Sequence, residues 1–487
     1  MIVRAWLGAA QLLILAKVCQ LIVGVLSIRL LTEILPKSEL SFYFIAMSTI
    51  SFFTFMFYNP IGQLVSREAS TLKRYNGLKT VIDLSLMYRF MIIGIALIIC
   101  ICLYSLSLAP RSIKEINVSL PLALGLLASF NAYFLSLINI TLGRSFFALC
   151  QIVTVLVSGV VATIGLFYFK SALGWMLPLF IVQVLFSIVF YCKLAGRSKS
   201  SQRIKKLLQK PKIRSRIKKF IFPVAFILVL QWILIHSYRF LIDLTSGVEV
   251  LAVIGVLTAL SASLFAAIES LLNQFFISVY YRKISSMCAQ ERISLWYEYS
   301  KVIIPIYIFF ATTLIVNSEV IFAIFLAEPY RNFFYLFLGV ALFDLGRVIM
   351  NYIYLIVQVE YAVNRLRKPY LFTSLLMLLL LWLSGSLEGE EWLFGVVMSF
   401  SGVFLLVYSI YSVKNSIRIQ FPVSSIFRAI LACLLMVVVS CAAKHFIGTK
   451  NLIDVVIVLT LNGSVVVSLV CILLYKDFRK LFSKGLV

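Results

Sequence analysis

Nine ionisable side chains fall within or beside the long apolar stretches of this chain. The cations are Lys17, Arg29, Arg89, Arg239 and Arg347, the acids Glu269, Glu319 and Asp344, and His236 is titratable near neutral pH. A charge in hydrocarbon costs several kcal/mol unless it faces a water-filled cavity or a partner, so each position is a candidate for function. The cations suit a diphosphate. Such a group sheds water to pass a low-dielectric interior and needs charge-assisted donors in exchange. The stretches before residue 196 carry Lys17, Arg29 and Arg89 but no deep acid, which makes that part cationic. Glu269, with Asn273 and Gln274 about a turn on, has the make-up of a proton- or cation-linked site, and Asp344, Glu319 and His236 are further candidates for ion coupling.

Each residue also has a plainer reading. Lys17 and Arg89 can reach an interface along their aliphatic stems. Arg29 with Glu33, and Arg239 with Asp243, are spaced i,i+4 for ion pairs, and Asp344 with Arg347 are spaced i,i+3. His236 can be a packing residue. The nine cysteines show no CxxC or Cys/His spacing for a metal, and no metal or cofactor is implied.

The elements that must hold these groups follow from composition. Of 487 residues, 62% are hydrophobic and 13% charged, with a mean hydropathy of +1.04. A water-soluble domain is about half apolar and about a quarter charged. The excess defines an all-α integral membrane protein. Runs of about 20 apolar residues give fourteen expected spans, the first near 9–31 and the last near 452–475. With the N-terminus in the cytoplasm, 32 of the 44 Lys and Arg fall on the cytoplasmic side, seven outside and five within spans. That bias places both termini inside and accounts for the net charge of +25 without nucleic acid. Trp6, Trp175 and Trp392 are expected interface anchors. The longest aqueous segment, Lys193 to Lys219, is basic and acid-free, and Ile204, Leu207 and Leu208 within it suit a short helix on anionic lipid.

An internal repeat organises the spans. Arg29, Glu33 and Glu39 recur as Arg239, Asp243 and Glu249 at a constant offset of 210, each set beginning at the end of the first span of a half. The expected architecture is an N-terminal six-helix lobe (1–195), a basic cytoplasmic linker (196–220), a C-terminal six-helix lobe (221–414), and two extra helices with a tail (415–487). The two lobes would be pseudo-symmetric, with the cargo site between them.

The stretch from Arg29 through Tyr43, then Pro60-Ile-Gly-Gln63 and Arg67, resembles the opening of the Wzx-type polysaccharide and O-antigen flippases. These belong to the multidrug/oligosaccharidyl-lipid/polysaccharide (MOP) superfamily. Tyr238-Arg239-Phe-Leu is similar to that family's seventh-helix Asp-Arg stretch, with Tyr238 in place of the acid, and Ile321 to Tyr330 followed by Gly339 to its ninth and tenth helices. The resemblance implies a MATE-like fold in a bacterial inner membrane. The implied cargo is an undecaprenyl-diphosphate-linked oligosaccharide of O-antigen, capsule or exopolysaccharide, moved from the cytoplasmic to the periplasmic leaflet by alternating access. It also implies membrane lipids, a polysaccharide polymerase and a chain-length regulator as partners, with a single chain as the transport unit. Two alternatives stay within the superfamily, a cation-coupled multidrug antiporter and a peptidoglycan-precursor flippase. A membrane glycan polymerase is a third, set against short outer loops and the lack of any nucleophile-base, paired-carboxylate or Gly-rich phosphate motif, features that argue against an enzyme.

Overall fold

Inside a bilayer an isolated segment satisfies its backbone N–H and C=O groups only as a helix, so apolar runs of this length fold as helices. In the computed structural model, residues 2–74, 77–105, 118–195, 211–273, 287–360, 362–385, 392–417 and 419–447 are described, with a few isolated positions elsewhere. The helices are α1 (Ile2–Ile34), α2 (Lys37–Phe53), α3 (Asn59–Arg74), α4 (Leu78–Ser105), α5 (Ser119–Ala128), α6 (Phe130–Thr141), α7 (Arg144–Phe169), α8 (Ala172–Ala195), α9 (Pro211–Trp232), α10 (Tyr238–Thr245), α11 (Val248–Leu272), α12 (Ala289–Val316), α13 (Ser318–Phe325), α14 (Glu328–Arg331), α15 (Phe334–Val359), α16 (Arg367–Gly385), α17 (Trp392–Ile417) and α18 (Val423–Ile447). No strand occurs among the described residues.

Among the described residues thirteen segments are long and apolar enough to cross a membrane, and they match the first thirteen expected spans one for one. The fourteenth, most of the basic linker and Gln274 lie outside the described residues. Large apolar side chains such as Leu15, Ile98, Phe169 and Leu431 stand exposed along these helices, as lipid-facing surface requires.

Two complete π-helical turns interrupt the helices among the described residues. Thr54–Tyr58 joins α2 to α3 within the second span, and Ile233–Ser237 joins α9 to α10 within the seventh. A π turn carries one extra residue and swings the side chains beyond it around the axis, and such turns are frequent at functional sites.

The chain divides into two compact units, Met1–Val256 with Leu378–Glu388, and Leu257–Met377 with Gly389–Val487. In the first, α7 packs on α1 and α8. A Cβ on Gly165 would lie 2.3 Å from the Gly174 carbonyl oxygen, so only paired glycines permit this approach of α7 and α8. In the second, α15 and α17 lie against each other through Gly339 on Gly395 and Gly346 on Gly402. Trp296 of α12 stacks on Tyr352 of α15 at 5.2 Å between ring centroids. The two residues also exchange bonds, Trp296 Nε1 donating to the Tyr352 carbonyl and the Tyr352 hydroxyl to that of Trp296. Small residues at the helix contacts and reciprocal polar bonds are the usual means of packing where lipid offers no hydrophobic drive.

Candidate functional site

Arg89, midway along α4, is the most enclosed cation among the described residues of the first unit, with 3% of its surface exposed. Its guanidinium carbon lies 4.5 Å from the Tyr58 ring centre, 4.2 Å from that of Tyr133 and 5.3 Å from that of Phe130. Tyr58 is the last residue of the π turn, and its hydroxyl donates to the Arg89 carbonyl at 3.0 Å. Phe130 and Tyr133 are spaced i,i+3 on α6 and so present adjacent rings. Arg89 Nε has no hydrogen-bond partner, and no carboxylate pairs with the guanidinium among the described residues. Three desolvated cation–π contacts, at about 1–2 kcal/mol each, are of the size needed to offset the cost of a charge at this depth. The cage therefore holds Arg89 without neutralising it.

Lys17 and Arg239 share that trait. Lys17 is buried on α1 and donates to Gln20 Oε1 at 3.0 Å, and the same oxygen accepts from Gln151 Nε2 of α7 at 2.9 Å. Arg239 is buried on α10, donates from Nη1 to Ser48 Oγ at 3.1 Å, and lies over the Phe44 ring at 5.2 Å. The Arg239–Asp243 pair suggested by spacing does not form. Ser48 takes the arginine instead, while Asp243 is fully buried on the same helix. Along the same seam Trp232 Nε1 donates to the Ser48 carbonyl at 2.9 Å, Ser41 Oγ to the Val248 carbonyl, and Lys37 pairs with Glu249 at 3.0 Å. The two π turns meet here as well, with Phe55 edge-on to His236 at 5.9 Å.

Three acids of this unit have other partners. Glu39 accepts from the Ala172 amide at 2.7 Å and caps α8, and Asp83 accepts from the Tyr191 hydroxyl at 2.9 Å. Arg29 does pair with Glu33, at 3.2 Å, with Glu33 exposed and Arg29 half-buried. That pair contributes less than about 1 kcal/mol.

The second unit has the opposite arrangement. Arg347 Nε donates to Asp344 Oδ1 at 2.7 Å, and Arg347 Nη1 lies 3.8 Å from Glu269 Oε2. Asn351 Nδ2 donates to Glu269 Oε1 at 2.9 Å. Two carboxylates thus share one guanidinium within a membrane-spanning pair of helices, leaving one negative charge in excess. The i,i+3 pair was legible in the sequence, whereas its meeting with Glu269 and Asn351 was not. Glu319 is exposed in the first turn of α13, beyond the end of the α12 span. Trp392 is half exposed, whereas Trp175 is 3% exposed and forms part of the core, which corrects its assignment as an anchor; the Trp6 side chain lies outside the described residues.

No known family profile matches the chain, and no curated protein matches it by sequence. Its fold matches that of solved MOP-superfamily transporters. Among solved structures it is similar to the lipid II flippase MurJ in an inward closed conformation, at 14% identity over 97% of this chain and 99% of that one, with a TM-score of 0.69. It is also similar to an inward-facing multidrug resistance MATE transporter, at 12% identity over 82% and 94% with a TM-score of 0.53. A third is a MOP transporter from Pyrococcus furiosus Vc1 with a binding pocket of reversed polarity, at 11% identity over 85% and 96% with a TM-score of 0.52.

Proposed function

We propose that the chain is a flippase for a lipid-linked oligosaccharide carried on a polyprenyl diphosphate, moved from the cytoplasmic to the periplasmic leaflet of a bacterial inner membrane by alternating access. One observation carries this reading. Three buried cations of the first unit, Lys17, Arg89 and Arg239, are held by an amide, by aromatic faces and by a hydroxyl, and among the described residues by no carboxylate. A cation left electrically unanswered in a membrane protein is an anion's receptor, and a diphosphate is the anion that a lipid carrier brings. Whole-chain similarity to a protein named as a lipid II flippase supports a lipid-linked cargo. A multidrug antiporter, in contrast, needs embedded carboxylates free to meet a cationic drug, and the Glu269 and Asp344 carboxylates already meet Arg347.

In this reading Glu269, Asp344 and Arg347 form the ion-coupling element, because the excess carboxylate takes up a proton or a monovalent cation. The division into lobes 1–195 and 221–414 joined by the basic linker, both termini in the cytoplasm, a single chain as transport unit, and cooperation with a polymerase and chain-length regulator belong to the same proposal. The test is reconstitution in vesicles containing a fluorescent polyprenyl-diphosphate saccharide, its polyprenyl-monophosphate analogue or a cationic dye. The diphosphate lipid should change leaflets in a protein-dependent way and the other two should not. Transport of the dye alone would transfer the chain to the antiporter class.

A further inference from the structure

Gly62 stands on the first turn of α3, just past the π turn that delivers Tyr58 to Arg89. A Cβ built there would meet only Arg89 Nη2 at 3.7 Å and Tyr133 Cδ2 at 3.8 Å. Both are ordinary contact distances, so packing does not demand a glycine at this position. Without a side chain at Gly62, α3 places no Cβ against Nη2 of this otherwise enclosed guanidinium, beside the ring of Tyr133. One helical turn along the same faces of α3 and α6, the Ser66 and Ser136 hydroxyls lie 3.1 Å apart and bond to each other. Such a pair satisfies one proton and leaves the other free to donate.

The geometry points to Arg89 as a caged oxyanion receptor. Tyr58, Phe130 and Tyr133 hold the cation in reserve, Gly62 is the port by which a phosphate oxygen reaches Nη2, and the Ser66–Ser136 pair supplies the next donor. This rests on the lipid-diphosphate reading and deepens it by assigning the port and the displaceable cover. The physical reason is competition between ligands for one charge. A π face holds a guanidinium through its quadrupole alone, whereas a phosphate brings full charge and directed acceptors. An arriving phosphate therefore displaces a ring from Arg89, which a carboxylate partner would resist. Tyr133 is the ring that moves, since it borders the gap at Gly62.

The experiment measures binding of farnesyl diphosphate to the full chain in lipid nanodiscs, with thermal unfolding of every variant recorded alongside. Gly62→Ala should weaken binding at least tenfold with an unchanged melting temperature, because the added methyl covers Nη2 without a clash. Arg89→Gln should weaken it at least as much. Tyr133→Leu should tighten binding several-fold, since the cation loses a competing face; a purely structural cage would instead lower the melting temperature and leave affinity unchanged or worse. Full binding by Gly62→Ala beside a defective Arg89→Gln would overturn the port and leave the flippase reading intact. Full binding by both would remove Arg89 as receptor and leave that reading to Lys17 and Arg239. A wild-type chain that binds no farnesyl diphosphate would sink both. Should Arg89→Gln fail to fold, the opposed responses of Gly62→Ala and Tyr133→Leu decide the matter alone.

Discussion

Replacing Arg347 by Met leaves two carboxylates facing each other in the second unit with nothing between them. Arg347, Glu269 and Asp344 are largely buried, with side-chain exposures of 16%, 17% and 5%. The substitution removes a charge-assisted bond of 2.7 Å to Asp344, of the kind that contributes about 1.5–3 kcal/mol. It also removes the 3.8 Å attraction to Glu269, about 4 kcal/mol at an effective dielectric near 20. Part of that loss returns as the freed carboxylates take up protons or water. Removing one member of a buried ionic group costs about 3–5 kcal/mol, and the residual exposure brings the expected loss to about 2–4 kcal/mol. The same principle makes the opposite prediction for full neutralisation. A chain with Arg347→Met, Asp344→Asn and Glu269→Gln together should stay within about 1 kcal/mol of the wild type, because no unpaired charge is left behind. The assay is reversible unfolding in mixed detergent micelles, with Asp344→Asn alone as an intermediate point. The reasoning fails if Arg347→Met is as stable as the wild type, or if the triple variant is no more stable than the single one.

Three further outcomes follow from packing and bonding. Gly339→Val should abolish the folded chain, read as loss of the monodisperse peak in size-exclusion chromatography, because its Cβ would lie 1.9 Å from the Gly395 carbonyl oxygen. Ser48→Ala should lower stability by about 1.5–3 kcal/mol, since Arg239 Nη1 loses its acceptor, and the same melting experiment on an Arg239→Gln background should show a smaller loss. Arg292→Lys should weaken the bond to Glu360, because Nε and Nη2 reach its two oxygens at 2.6 and 3.0 Å in a fork that an ammonium does not reproduce; a thermal melt should show a drop that Glu360→Asp does not deepen.

The helices and the local pairs were legible in the sequence because both depend on short-range regularities. Apolar runs gave the thirteen spans, i,i+4 spacing gave Arg29–Glu33, and i,i+3 spacing gave Asp344–Arg347. The cage around Arg89 was not legible, since its rings come from three separate positions, 58, 130 and 133, and the π turn shifts the phase of Tyr58. A pair of aromatic residues at i,i+3 flanked by an apolar run, as Phe130 and Tyr133 are, was the available signal. The repeat also misled in a specific way. Arg29 and Arg239 occupy matching places in the sequence, yet one is paired with Glu33 and only half-buried and the other is buried on Ser48. Glu39 and Glu249 likewise match, but one caps α8 and the other meets Lys37. Similar spacing preserves the position of a charge along its helix, while the partner is chosen by whichever helix packs alongside.

The central claim is that Lys17, Arg89 and Arg239 of the first unit are left without carboxylates so that they can meet a diphosphate. Its most direct test is leaflet exchange of a fluorescent polyprenyl-diphosphate saccharide in proteoliposomes carrying Lys17→Met, Arg89→Gln or Arg239→Gln at matched, folded protein levels. Each neutralisation should lower the rate at least tenfold, and all three together should reduce it to the rate of empty vesicles. A triple variant that moves the lipid at the wild-type rate would contradict the account.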